Sequence, residues 1–171
     1  VASFASTAKS LTELSELKAR IEKGEKGLDG KLLAAELALG SVDYPAAKER
    51  LAKIKKLDDA TKAKIAKLMI DAEVGHLFST AGRDPEKLAA AQVRLVAMVK
   101  EGKVPTGRSA RQFWSSLMQW AEKNQDVAVY EKAVNWFKSQ FGDNSRYADY
   151  FAIRDKILAE MKETAKSEPK P

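Results

Sequence analysis

The sequence contains a single histidine, His76, the residue type used most often in acid–base catalysis and metal binding. Helical spacing places it on the same face as the apolar residues Ile65 and Met69. A catalytic or metal site needs several convergent polar groups, and the residue one turn further on, Thr80, supplies no carboxylate. His76 is therefore predicted to pack against a neighbouring helix or to line a groove.

Cysteine is absent from the chain, which excludes disulfides, thiol catalysis and cysteine-based metal sites. No Gly-x-Ser-x-Gly motif marks a serine nucleophile. The run Gly24-x-x-Gly27-x-x-Gly30 follows a predicted helix and lacks the Gly-Lys-Ser/Thr ending of a phosphate loop, so we interpret it as a turn between helices. The sequence predicts no catalytic residue, no metal and no cofactor; an enzyme that uses unrecognised carboxylates is kept as a further hypothesis.

Basic residues outnumber acidic ones, with 30 Lys and Arg against 24 Asp and Glu and a net charge of +6 at pH 7. Most lysines alternate with acidic residues, which is typical of solvated helix faces and not of a nucleic-acid site. The groups Lys53–Lys56 and Lys62–Lys67 flank one turn and could attract an acidic partner or anionic lipid. Asp58 and Asp59 lie between them and reduce that field, which favours solvated helix ends.

The chain has the length of one domain, and we predict a single helical domain over residues 1–165. The Pro-containing tail, residues 166–171, is predicted to be disordered. No apolar run is long enough to cross a bilayer. The opening Val1–Ser6 lacks the features of a signal peptide, which suggests either a cytoplasmic chain or a mature form, such as one from the bacterial periplasm.

Apolar residues recur at helical spacing through almost the whole chain, and strand and hairpin signals are missing. We therefore predict an all-α fold of about eight helices. Their expected positions are 7–23, 32–39, from Asp43 onward, 59–80, from Asp84 to Gly102, 107–123, Tyr130–Phe141 and Tyr147–Met161.

The sequence contains an internal repeat: a large residue is followed by an alanine three positions later and by a large apolar residue four positions after that. The three copies are Tyr44, Ala47, Leu51; Leu88, Ala91, Leu95; and Tyr130, Ala133, Phe137. A small residue, Ala35, Ser79 or Ala121, precedes each copy at the same distance. With the turn Asp43-Tyr44-Pro45-Ala46-Ala47, residues 28–141 resemble the tetratricopeptide repeat, although the unit is longer than that family's.

The resemblance implies a solenoid of tandem antiparallel helical hairpins with a terminal capping helix. Such proteins hold a peptide or a partner helix in a concave groove lined by the first helix of each hairpin. The residues expected to face this groove are Glu36, Glu73, His76, Thr80, Met118 and Glu122, which would make it polar and slightly acidic. The resemblance therefore implies a non-enzymatic scaffold or adaptor that binds protein.

Three tryptophans lie in the C-terminal half, at positions 114, 120 and 136. Trp120 shares a helix stripe with Phe113 and Leu117 and is predicted to be in the core. Trp114 is offset from that stripe and follows Arg108 and Arg111, so it is predicted to be a partly exposed recognition residue, and Arg111 is predicted to bind the partner with it.

A second resemblance starts at Arg111-Gln112-Phe113-Trp114, passes through Tyr130-Glu131-Lys132-Ala133 and ends at Phe141-Gly142-Asp143-Asn144. This stretch is similar to helical segments attached to thioredoxin-family proteins of the bacterial envelope. It implies an alternative function as an accessory helical module of an extracytoplasmic redox system. Without cysteine, such a module has no thiol chemistry of its own.

Overall fold

The computed structural model describes the backbone of residues 2–167 and the side chains of residues 5–167. This part of the chain contains α-helices and one short 3₁₀ turn, Ser145–Tyr147, and no strand, which confirms the predicted all-α class. None of these helices is long and apolar enough to cross a membrane. The helices are α1 (Ala2–Glu22), α2 (Asp29–Leu39), α3 (Tyr44–Lys53), α4 (Asp59–Ala81), α5 (Pro85–Lys100), α6 (Ala110–Lys123), α7 (Val127–Phe141) and α8 (Ala148–Ser167).

Aspartates fix the starts of four helices, because each accepts a backbone N–H of the first turn. At α3, Asp43 Oδ1 accepts from the amide of Ala46 at 2.9 Å, and Pro45 occupies the first turn. Asp84 and Pro85 start α5 in the same way. The helix starts predicted at Asp43 and Asp84 are therefore confirmed.

Several predicted helix bounds differ from the structure by a few residues, among them the starts of the first and the sixth helix. The first helix was expected from residue 7, but α1 begins at Ala2, where alanines at positions 2, 5 and 8 favour helix. The sixth was expected from residue 107, but α6 begins at Ala110. The two residues Gly107 and Ser109 are held outside the helix by hydrogen bonds to Asp71.

The chain divides into two compact units. The first unit contains the residues up to Gly82 together with the segment Lys103–Ser109. The second contains Arg83–Gly102 and the residues from Ala110 onward. One domain over 1–165 stays a prediction; of the predicted tail, Lys166 and Ser167 lie in α8, and residues 168–171 lie outside the described residues.

The first unit packs α2 against three other helices, α1, α3 and α4. One apolar cluster joins α2, α3 and α4 through Leu33, Leu37, Ala47 and Ile65, all of them buried. A second cluster joins α1 and α2 and includes the fully buried Ala35. Helix α2 is thus the central element, which is why its side chains are buried on more than one face.

The turn between α1 and α2 contains the glycine run identified in the sequence. Gly24 and Gly27 have φ angles of 86° and 79°, a region that glycine adopts without strain. Gly30 lies within α2 and is buried beside Leu57, where a Cβ atom would come within 2.2 Å of Leu57 Cδ2. The interpretation of this run as an interhelical turn is confirmed for Gly24 and Gly27.

The second unit packs α6 against α5 and α7, and α7 against α8. Its fully buried large side chains come from α5, α6 and α7: Leu95, Met98, Phe113, Leu117, Tyr130 and Val134. The pair α6 and α7 forms the third predicted hairpin, with Ala121 and Ala133 both fully buried.

The small residues of the internal repeat have different environments. Ala35, Ala47, Ala91, Ala121 and Ala133 are buried, as close helix packing requires. Ser79, in contrast, is exposed near the end of α4. Of the second predicted hairpin, α4 belongs to the first unit and α5 to the second. The arrangement of the hairpins as a solenoid stays a prediction.

Candidate functional site

A recess of about 250 Å³ opens on the first unit. The N-terminal end of α3 and the C-terminal half of α4 form its walls, and the segment Lys103–Ser109 closes one side. We name it the Tyr44–His76 recess; its lining includes Leu37, Val42, Tyr44, Asp71, His76 and Arg108.

Two rings form the aromatic wall of the Tyr44–His76 recess. The ring centroids of Tyr44 and His76 lie 6.2 Å apart, and the ring planes are tilted by 34°. The Nζ atom of Lys48 lies 5.6 Å from the centroid of Tyr44, within the range of a cation–π contact. Gly75 has no side chain, and a Cβ atom at its position would meet nothing within 4 Å, so the recess stays open beside His76.

Asp71 on α4 holds the segment Lys103–Ser109 in place. Its carboxylate accepts hydrogen bonds from the amide of Gly107 at 3.0 Å and from the amide of Ser109 at 3.2 Å. The hydroxyl of Ser109, which is buried, donates to the same carboxylate. Since three donors share its charge, Asp71 acts as a structural anchor in the recess.

Arg108 extends from this segment to the end of α2. Its Nη2 atom donates to the carbonyl of Ala38 at 2.7 Å, one residue before the last of α2. A cation at a helix C-terminus is favourable because the carbonyls there carry partial negative charge. Gly40 allows this approach, because a Cβ atom at that position would lie 3.2 Å from Arg108 Nη1.

Four of the predicted groove residues belong to the first unit. His76 is half-buried and lines the recess. Glu36 is half-buried and forms an ion pair with Arg50. Glu73 is half-buried on α4, and Thr80 is exposed. Only His76 among them is part of the recess lining.

The other four predicted residues belong to the second unit, and two of them are in its core. Trp114 was expected to be partly exposed, but it is only 5% exposed, so that expectation is wrong. Its ring packs edge-on against Phe113 and stacks on Trp136, with centroids 6.4 Å apart. Met118 is 4% exposed, and its sulfur accepts a hydrogen bond from the Tyr150 hydroxyl at 3.6 Å. It therefore cannot line a groove.

The remaining two residues are on the surface of the second unit. Arg111 is exposed, and its Cζ atom lies 5.6 Å from the ring centroid of Phe141. Glu122 is half-buried and pairs with Arg154 at 3.4 Å. Trp120, expected to be in the core, is half-buried, so it is less buried than Trp114.

A polar cluster lies among the buried side chains of the second unit. Tyr130 is fully buried, and its hydroxyl has no hydrogen-bond partner among the described residues. Burial raises the pKa of this hydroxyl, while the nearby positive charge of Arg154 acts in the opposite direction. Arg154 also lies 4.9 Å from the ring centroid of Tyr150 and pairs with Glu122. Glu122, Tyr150 and Arg154 are half-buried, so only the Tyr130 end of this cluster lies in the core.

The arrangement of the Tyr44–His76 recess is suited to binding. It combines an aromatic wall, an apolar floor from Leu37, Val42 and Ala72, and polar groups at its edge. Among the described residues, no group of three or more acidic or histidine side chains is placed to hold a metal ion. Comparison with known protein families, with curated proteins and with solved structures finds no match to this chain.

Asp71 and Arg108 were not identified from the sequence as members of a site. They are 37 positions apart on α4 and in a connecting segment, and no periodic pattern links them. The one available signal was Gly107-Arg108-Ser109, a short polar stretch at the start of the predicted sixth helix, which is typical of many surface turns.

Proposed function

We propose that this chain is a protein-interaction module whose first unit binds a peptide segment of a partner protein in the Tyr44–His76 recess. The supporting observation is the recess itself, where an aromatic wall and an apolar floor are open to solvent beside polar groups. Sites of this composition take apolar side chains and orient them with a few polar contacts. The resemblance to helical-repeat scaffolds supports the same class of function.

The size of the recess favours a peptide over a helix as the occupant. An α-helix with its side chains is about 10–12 Å across. A recess of about 250 Å³ accepts side chains from an extended segment, not a whole helix. We include in the proposal that the hairpins α2/α3 and α6/α7 are arranged as in a solenoid. Repeat proteins of this kind offer a rigid surface on which an extended peptide can bind.

Photo-cross-linking from the rim of the recess tests this function. A photoreactive amino acid replaces Ser79, which is exposed and lines the recess. The control carries the same group at Lys67, which is exposed on the same helix. We expect a cross-linked partner segment from position 79 that is absent from position 67.

The cross-linked segment is then synthesised and its affinity measured by fluorescence anisotropy. The double substitution Tyr44→Ala and His76→Ala should weaken binding at least tenfold, whereas Lys67→Ala should leave it unchanged. Circular dichroism checks that each variant is folded. Equal cross-linking from both positions, or binding that survives the double substitution, would reject the recess as the binding site. A thioredoxin-like partner would instead favour the alternative of an envelope redox module.

A further inference from the structure

A second recess of about 480 Å³ lies on the first unit next to the Tyr44–His76 recess. We name it the Ser6–Arg108 recess; Ser6 and Ser10 of α1, Ala38 of α2 and Leu68 of α4 contribute to its walls. Three residues, Leu37, Asp71 and Arg108, line both recesses. These shared side chains therefore form the partition between the two.

The three residues of the partition are held to different degrees. Leu37 belongs to a buried apolar cluster and is 6% exposed. Asp71 is fixed by the two amides and the hydroxyl that donate to it. Arg108 is exposed, and its guanidinium donates a hydrogen bond to the Ala38 carbonyl. Arg108 is thus the part of the partition that can move without disturbing the core.

A carboxylate would be a stronger hydrogen-bond partner for the guanidinium of Arg108 than the neutral carbonyl of Ala38. It carries five N–H donors in a planar fork that pairs with a carboxylate through two parallel hydrogen bonds. The nearby carboxylates are otherwise engaged: Asp71 holds the segment Lys103–Ser109, and Asp43 caps α3. A carboxylate from a ligand would therefore compete with the Ala38 carbonyl for Arg108.

We propose that the two recesses are halves of one groove, and that this groove binds an extended peptide with an internal acidic side chain that pairs with Arg108. The inference rests on the proposed function and adds the chemistry of its ligand. The recesses lie on both sides of Arg108, so the bound chain continues in both directions from the acidic residue. This geometry selects a side-chain carboxylate over the carboxylate of a chain terminus.

The test uses three pools of fluorescent nonapeptides, acetylated and amidated at their ends so that they carry no terminal charge. The central residue is Glu in one pool, Gln in the second and Lys in the third, and the flanking positions are randomised identically. We expect the Glu pool to bind the wild-type chain roughly tenfold more tightly than the Gln pool, because a charge-assisted pair replaces a neutral contact. The Lys pool should bind most weakly.

Substitutions of Arg108 test whether the preference for the Glu pool over the Gln pool depends on this residue of the partition. Arg108→Gln should remove the difference between the Glu and Gln pools, and Arg108→Lys should keep part of it. The matched control Arg20→Gln removes another exposed arginine of the first unit and should retain the full preference. Circular dichroism verifies that each variant remains folded.

The outcomes separate this inference from the proposed function. Pools that bind and cross-link at Ser79 with no preference for Glu would overturn the acidic-ligand inference and leave the peptide-binding function standing. A preference that survives Arg108→Gln would also overturn it, since the carboxylate would then be bound elsewhere. Absence of binding by every pool would reject both.

Discussion

The carboxylate of Asp71 and the amide of Gly107 are joined by a hydrogen bond of 3.0 Å although 36 residues separate them in the sequence. The same carboxylate accepts from the amide and the hydroxyl of Ser109. One side chain on α4 therefore positions the segment that carries Arg108 and forms one side of the Tyr44–His76 recess.

Removal of this anchor should destabilise the first unit. Asp71→Ala leaves the amides of Gly107 and Ser109 and the buried Ser109 hydroxyl without their acceptor, which should cost about 1–3 kcal/mol. Urea unfolding measured by circular dichroism gives the change in free energy. Glu163→Ala, at an exposed position of α8, serves as a control and should change stability little. Equal effects from both variants would mean that the anchor contributes nothing.

Gly40 should be sensitive to any side chain. Its φ of 68° is in the left-handed region, and a Cβ atom would lie 3.2 Å from Arg108 Nη1. Gly40→Ala should therefore cost about 1–2 kcal/mol for the backbone alone, with an added cost from the displaced guanidinium. Gly102→Ala is the matched control, because Gly102 has a φ of 72° but nothing within 4 Å of its Cβ position. Thermal melting should show the larger loss for Gly40→Ala.

Tyr130 should ionise at a higher pH than an ordinary tyrosine. Burial raises the pKa of its hydroxyl, so above the ordinary tyrosine value of about 10 the unfolded chain releases a proton that the folded chain keeps. The stability contributed by this group is complete below that pH and decreases as the pH rises further. Absorbance at 295 nm during an alkaline titration follows the ionisation.

The variant Tyr130→Phe identifies the group and tests its surroundings. It should remove the part of the titration that lies above the ordinary tyrosine value. Since the Tyr130 hydroxyl has no hydrogen-bond partner among the described residues, its loss should change stability by less than about 1 kcal/mol. A large destabilisation would mean that the contact with Arg154 is stronger than the geometry indicates.

Trp114 should behave as a core residue. It is 5% exposed and stacks on Trp136, so Trp114→Ala should cost about 3–5 kcal/mol. Trp114→Phe keeps an aromatic ring and removes an indole N–H that has no partner among the described residues, so its cost should be much smaller. Trp120→Ala should be milder than Trp114→Ala because Trp120 is only half-buried. The reverse order in chemical unfolding would restore the roles expected from the sequence.

Local chemistry made the helices predictable from the sequence. Asp43 lies two residues before a proline and Asp84 directly before one, and each caps the helix that follows. The cap forms because a side-chain oxygen satisfies a backbone amide left free at a helix start. The alanines of the internal repeat are buried for a related reason, since only small residues let helices approach closely. Such signals act within a few residues, so a single sequence contains them in full.

The candidate site was only partly predictable, because it depends on contacts between distant residues. His76 was found through its residue type and helix face, and it lines the recess. Asp71 and Arg108 have roles set by the path of the segment Lys103–Ser109, which no local pattern reveals. Trp114 was assigned to the wrong environment because helical spacing identifies a stripe, whereas neighbouring helices decide how much of the helix surface beside it is covered.

The return of Lys103–Ser109 to the first unit has a consequence for synthesis on the ribosome. Domains usually fold as their chain emerges, N-terminal parts first. When Gly82 leaves the exit tunnel, Asp71 still lacks the donors that Gly107 and Ser109 supply. The N-terminal unit can be completed only after α5, a helix of the other unit, has been translated, so the order of assembly does not follow the order of the chain.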